Sequence, residues 1–399
     1  DNAGRITNKS ETVDGVTSNY VYTYDPMGRL LTVTKDGALV EEYVYDSVGT
    51  RISETNTLRG IEGRSFIYSD EDHLLSAGDA TYQYDLDGYL TTKTVGTDVT
   101  SYVYSSRGEL LSVALPDGRL IEYVHDPLGR RIAKKVDGLV AEKYLWQGLT
   151  RLLAVYGGND LLLARFLYAD GRMPVAMEQG GATYSLTSDL VGTLRVVADS
   201  SGIVVKSIEY DSFGNILADT NPTLAVPFGF AGGLHDRDTG LVRFGFRDYD
   251  PDVGRWTAKD PILFAGGDVD LYGYVLGNPV NVIDPIGLFL QNMPAWLWKD
   301  LNLPNMEMVS TEPLDLFGDA LMYEQIRGSL QVEATACGLR DLPNTLKTGA
   351  VFMGVGMGGI VAVEVYPYAV GAALTPQGQQ AAINFLSSAL PATSPTPDY

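Results

Sequence analysis

Cysteine is nearly absent from this chain: Cys337 is the single one in 399 residues. No disulfide framework can form within it, so stability rests on burial and hydrogen bonding. A lone cysteine needs a nearby base to act as a nucleophile, and no histidine follows His235. Cys337 is expected to be an inert, small apolar residue. Positive charge is also short. The chain has 29 Lys and Arg against 50 Asp and Glu, a net charge of −21 and a pI of about 4.4. A surface this acidic repels phosphate backbones, so nucleic-acid binding by the whole chain is not expected. The opening residues, DNAGRITNKSE, contain no apolar signal-peptide core. They read as the middle of a repeat, so a longer parent chain with its targeting segment upstream is the expectation.

What is present is a globular composition, 45% hydrophobic and long enough for two or three domains, and a repeated phrase. An aromatic, any residue, an aromatic, Asp, two residues and Gly recur. Copies are Tyr22-Thr-Tyr24-Asp25-Pro-Met-Gly28, Tyr43-Val-Tyr45-Asp46-Ser-Val-Gly49 and Tyr82-Gln-Tyr84-Asp85-Leu-Asp-Gly88. Others are Tyr102-Val-Tyr104-Ser-Ser-Arg-Gly108, Tyr123-Val-His125-Asp126-Pro-Leu-Gly129 and Tyr210-Asp211-Ser-Phe-Gly214, with a degraded copy around Phe66 to Tyr68. The early copies stand 16 to 23 residues apart, the period of a repeat architecture. Segments such as TYQYD and SYVYS alternate in the period of a half-buried strand. The Asp that follows caps its own backbone and the Gly takes positive φ, which makes a turn. Each unit is thus a strand pair of about 20 residues, and stacked units make one long antiparallel sheet that curls because sheets twist. Arg29, Arg51 and Arg130 are expected to pair with turn carboxylates or stack on Tyr. Tyr ladders also suit carbohydrate binding, but their fixed spacing to turn Asp residues favours a structural role.

This phrase resembles the YD repeat of the Rhs family, shared by bacterial polymorphic toxins, the C component of insecticidal toxin complexes and the teneurins. The resemblance covers roughly residues 1–288. It sharpens in the segment PFGFAGGLHDRDTGLVRFGFRDYDPDVGRWTAKDPI, which is similar to the Rhs-associated core; that core continues past Ile262 and finishes on Asp284-Pro285-Ile286-Gly287-Leu288. Read from the residues alone, Asp248 and Asp260 are two carboxylates that a strand–turn–strand can bring together. Two such acids cannot both ionise, which supplies a base for water and an acid for a leaving amine. Arg247 beside them can hold one carboxylate charged or steady an oxyanion. Asp250, Asp252 and Asp284 read as turn-formers, and a purely structural role for the Arg–Asp pair stands beside the catalytic one.

The resemblance implies an internal aspartyl protease that cuts its own chain directly after the D-P-x-G-L motif. Arg247, Asp248 and Asp260 match the catalytic set, Asp284, Pro285, Gly287 and Leu288 the motif, and Leu288–Phe289 the scissile bond. The expected fold is mainly β: a YD-repeat sheet over 1–222 curling into a partial shell, the Rhs-associated core over 223–288 closing it, and a small helical, variable C-terminal region over 289–399. The implied function is the C-terminal part of a toxin that encloses and frees its own C-terminal segment as cargo. The implied setting is secreted or cell-surface, with an immunity protein or secretion-system component as further partners. No cofactor or metal is expected. The alternatives are a non-enzymatic YD-repeat surface, adhesion or scaffold protein, and a remnant whose apolar tail enters membranes.

Composition changes after Leu288. A helix is expected over 314–336 and a short one over 377–390, before a disordered PATSPTPDY end. The glycine-rich apolar run over 349–374 is read as a buried or shell-enclosed helix pair, with Gly354 and Gly358 as a small-xxx-small contact. Its uninterrupted part, Gly349 to Val363, is 15 residues, short of the roughly 20 that span a bilayer. Gly354, Gly356 and Gly359 satisfy G-x-G-x-x-G, but no βαβ context supports a nucleotide site. The tail has no histidine, so nuclease, zinc and Cys–His chemistries find little support in it, and pore formation suits its composition better.

Overall fold

The computed structural model describes residues 1–169, 171–288 and 290, together with the backbone of 350–356 and 359–366. The chain divides into two compact units, Asp1–Pro313 and Leu314–Tyr399. In the first, a 21-stranded sheet runs from Asn8–Val13 to Ile216–Asp219. Each strand pairs antiparallel with the next, as Val16–Tyr24 does with Leu30–Lys35 through Tyr22↔Val33. The first Tyr of each phrase faces inward and is buried: Tyr22, Tyr43, Tyr82, Tyr102 and Tyr123.

The turns behave as their residues dictate. Asp126 Oδ1 accepts the N–H groups of Leu128 and Arg130 at 3.0 Å, and Gly129 stands at φ 78°. Where Ser105 replaces the Asp, its hydroxyl accepts from Arg107 and Glu109 at 3.2 Å. Arg130 pairs with Asp126, Arg29 stacks over Tyr45 at 4.8 Å, and Arg51 stacks over Phe213 at 4.4 Å. A register shift falls at the same place in successive units, beside Tyr24, Tyr45, Tyr84, Tyr104 and His125. Bulges raise local twist, so a bulge repeated at every turn curls the sheet.

The curl brings early and late strands face to face. Arg195 donates to both carboxylate oxygens of Glu11 at 2.9 and 2.7 Å, and Lys35 pairs with Glu209. Among the described residues the first and last strands do not pair, so the sheet remains open. Residues 226–288 fill its concave side. Their short strands Leu234–His235, Val242–Phe244, Arg247–Asp250 and Arg255–Trp256 form a second, four-stranded sheet. Phe244, Tyr249, Trp256 and Tyr274 pack on one another and share a core with Leu152, Met177, Leu194 and Val197 of the large sheet. Cations from the large sheet hold the filling: Lys134 reaches Asp236 and Asp238 at 2.7 and 2.6 Å, and Lys93 reaches Asp250 and Asp252 at 3.1 and 3.0 Å. Arg64 adds a 2.8 Å pair to Asp252. Burial alone would raise the Asp252 carboxyl, but Lys93 and Arg64 hold it well below the usual carboxylate range.

One expectation for the C-terminal region is corrected. The apolar run is not a helix pair where its backbone is described: Ala350–Gly356 and Gly359–Tyr366 form an antiparallel hairpin, with Val351↔Val365 and Met353↔Val363 opposite each other. Gly354 therefore makes no helix contact. Its valines and isoleucine favour extended backbone, and short apolar runs are ambiguous between strand and helix. The helices expected over 314–336 and 377–390, Gly358, and the PATSPTPDY end lie outside the described residues. Among those described, no helix is long and apolar enough to cross a membrane.

The seam of the curl carries a testable consequence. Glu41 and Asp211 are both buried there; Tyr43 donates to Glu41 at 2.6 Å and Asn56 to Asp211 at 3.0 Å. Burial, then the charge of Asp211, pushes the Glu41 carboxyl up to about 7. An acid whose folded pKa exceeds its unfolded value binds more protons when folded, so this contribution is full below about 4.5 and is lost as pH rises to about 7. Glu41→Gln should gain stability relative to the parent, on the order of 2 kcal/mol, as urea unfolding moves from pH 5 to pH 8. A constant difference across that range would show that Glu41 does not retain its proton.

Candidate functional site

Arg247 opens the strand Arg247–Asp250, and its guanidinium lies 4.2 Å over the Trp256 ring. One Nη2 serves two carboxylates, Asp260 at 2.9 Å and Asp284 at 3.1 Å. Its Nε donates to the Gly287 carbonyl at 2.6 Å. Asp284 Oδ1 accepts the Leu288 N–H at 3.0 Å, so the D-P-x-G-L motif is a turn closed by its own aspartate and clamped by Arg247. Asp260 begins the next turn, accepting the Ile262 N–H at 2.9 Å. Gly266 explains how Asp260 and the motif approach each other. A Cβ there would stand 2.6 Å from Asp260 Oδ2 and 2.9 Å from the Leu288 carbonyl oxygen. Its bare backbone lets both atoms come to one place.

These groups surround a cavity of about 10 Å³ lined by Arg247, Asp260, Asp268, Asp284 and Leu288, room for about one water. Burial, then the neighbouring Asp270 charge, pushes the Asp268 carboxyl up to about 7. Burial raises Asp260 as well, with the Arg247 charge opposing it. The cavity that Leu288 lines therefore holds two acids whose protons burial retains, Asp268 the more strongly.

Of the three residues expected to be catalytic, the fold brings Arg247 and Asp260 together and sends Asp248 elsewhere. Asp248 does not line this cavity. It lies between two buried guanidiniums, Arg131 at 2.8 Å and Arg243 at 2.7 Å. Burial alone would raise it, but Arg131 and Arg243 keep it below the usual carboxylate range. Asp284, Gly287 and Leu288 meet at Arg247, and Pro285 faces a separate arginine-lined cavity. Phe289 lies outside the described residues. Asp250 and Asp252, read as turn-formers, also carry the cationic pins of the large sheet. The residue that sequence reasoning missed is Asp268. Its signal was available: an acid directly after Gly266-Gly267, eight residues beyond Asp260. No cluster of candidate metal ligands occurs among the described residues.

A curled antiparallel ribbon of tyrosine-lined hairpins, filled by a small aromatic core, defines a YD shell. The family model for the teneurin YD-shell matches residues 1–267, and the chain belongs to the Rhs/YD-repeat family. Teneurin-3 of Danio rerio is 31% identical over 316 residues, covering 74% of this chain and 11% of that protein. Double-stranded DNA deaminase toxin A of Burkholderia cenocepacia (strain H111) is 31% identical over 322 residues, 72% of this chain and 22% of the toxin. The chain thus spans about a tenth to a fifth of the length of these relatives. A solved Photorhabdus luminescens Tc holotoxin pore is similar at a TM-score of 0.37 and 19% identity, over 73% of this chain and 19% of that one.

The position of Asp248 yields a prediction. Asp248→Asn leaves two buried guanidiniums without their shared charge and should cost about 3–5 kcal/mol in urea unfolding. A loss below 1 kcal/mol would show that the arginines do not depend on it.

Proposed function

We propose that this chain is the closing part of an Rhs-type toxin shell that cuts its own backbone between Leu288 and Phe289, freeing residues 289–399 as enclosed cargo. The observation that carries the reading is the one-water cavity that Asp260, Asp268 and Arg247 line together with Leu288. Asp260, steadied by Arg247, takes a proton from water; the resulting hydroxide adds to the Leu288 carbonyl carbon. Asp268, still protonated near neutrality, gives its proton to the amide nitrogen as the C–N bond breaks. Arg247 and Asp284 fix the Gly287 carbonyl and the Leu288 N–H, which hold the reacting bond in place. Asp248 anchors the strand that carries Arg247, a positioning role in place of a catalytic one.

The cargo reading extends to its chemistry. One relative is named for a DNA deaminase, but residues 289–399 hold no histidine and a single cysteine, not the His and Cys set that holds a deaminase zinc. Residues 289–399 therefore supply no such zinc site, and the apolar hairpin within them suits insertion or packing better than zinc catalysis. A secreted or cell-surface setting, with an immunity or secretion partner, belongs to this same reading.

A second reading, a shell that never cuts, is favoured by one observation: the family match ends at residue 267, before Asp268 and the motif. Intact mass of the purified full chain separates the two. Self-cleavage predicts two fragments meeting at Leu288/Phe289, and either Asp260→Asn or Asp268→Asn should slow it by about 100-fold or more. If both variants are still cut there at the parent rate, the assignment fails; if the parent stays whole, the scaffold reading stands. The parent rate should also fall as pH rises through about 7, where Asp268 gives up its proton. A rate that climbs through that range would exclude Asp268 as the acid.

A further inference from the structure

On the other side of the Asp284-Pro285 turn lies a cavity of about 30 Å³ lined by Arg130, Arg131, Arg172, Arg243, Trp146 and Pro285, among others. Among the described residues no carboxylate lines it. Arg130 is answered by Asp126 at 2.6 Å, outside the cavity. Arg131 and Arg243 divide the single charge of Asp248 between them. Arg172 donates to two backbone carbonyls, Ala231 and Val191, each at 2.9 Å, and has no ion pair among the described residues. Among the described residues Asp248 is the one carboxylate ion-paired with these three guanidiniums, and Asp236, Glu109 and Asp189 act on them only at longer range. Arg131 and Arg243 are 2% and 4% exposed, and the Nε of each is buried without a hydrogen-bond partner.

Buried charge without a counter-charge is costly, and an unmade buried hydrogen bond adds to the cost. Water can fill the hydrogen bonds but supplies no charge. The volume suits one dehydrated monovalent ion and is too small for a solvated one. We propose that this cavity is a binding site for a small inorganic anion of chloride size, held by Arg131, Arg172 and Arg243 against the Pro285 face of the motif turn. The site supports the fold of the turn and stands whether or not the chain cleaves itself.

The test uses the full chain. Its thermal midpoint is followed at constant ionic strength while sodium chloride replaces sodium gluconate, and separately while sodium phosphate does. A bound chloride predicts a saturating rise of about 2 °C or more, absent with the bulkier phosphate and flattened in Arg172→Gln. Identical responses to chloride and gluconate, or an equal rise with phosphate, would overturn the proposal as general ionic screening. Should Arg172→Gln fail to fold, crystals of the unaltered protein grown in sodium bromide decide the matter. An anomalous peak among Arg131, Arg172 and Arg243 supports the site; an empty cavity at high bromide removes it.

Discussion

Ion pairs across the concave face are the constraint on which the rest depends. The large sheet presents Lys93, Arg64, Arg131 and Lys134 inward, and the inner segment answers with Asp252, Asp248, Asp236 and Asp238. The cations come from three separate strands, Arg131 and Lys134 sharing one, so the aspartates fix where the segment lies along the ribbon as well as that it lies inside. Apolar packing alone would not: Tyr249, Trp256 and Tyr274 would bury comparable area against several stretches of a repeating wall. Buried pairs are a poor source of net stability but a good source of registry, because a shift by one repeat leaves charges without partners. Repetition makes the wall easy to build and ambiguous to dock against, and the charges remove the ambiguity.

Much of this fold was legible in the sequence because its signals are local. The Tyr-x-Tyr-Asp-x-x-Gly phrase specifies strand, cap and turn within seven residues, and Asp126 and Gly129 do what their side chains require. The bulge beside each phrase was not legible, since it follows from how four turn residues close between two strands, and no residue type announces it. Nor was the apolar hairpin over 350–366, whose valines, glycines and isoleucine suit both a strand and a helix interface when no neighbour is known. The pins were unreadable for a different reason: Lys93 and Asp252 are 159 residues apart, and only the curl makes them neighbours.

The site was half legible for a reason that lies in strand geometry. Arg247 and Asp248 are adjacent in sequence, and adjacency suggests a shared task. A strand sends successive side chains to opposite faces. Arg247 and Tyr249 accordingly lie against Trp256, while Asp248 and Asp250 turn toward the cations of the large sheet. An acid directly beside Arg247 on that strand cannot serve the bond that Arg247 clamps. In the proposed mechanism the second acid comes from a segment that returns to the same face, and the glycine-rich loop after Asp260 carries Asp268 to the cavity. Gly266 is the joint in that loop. A Cβ there would press on both the Asp260 carboxylate and the Leu288 carbonyl oxygen, so the way the two pack around this loop is set by the absence of an atom.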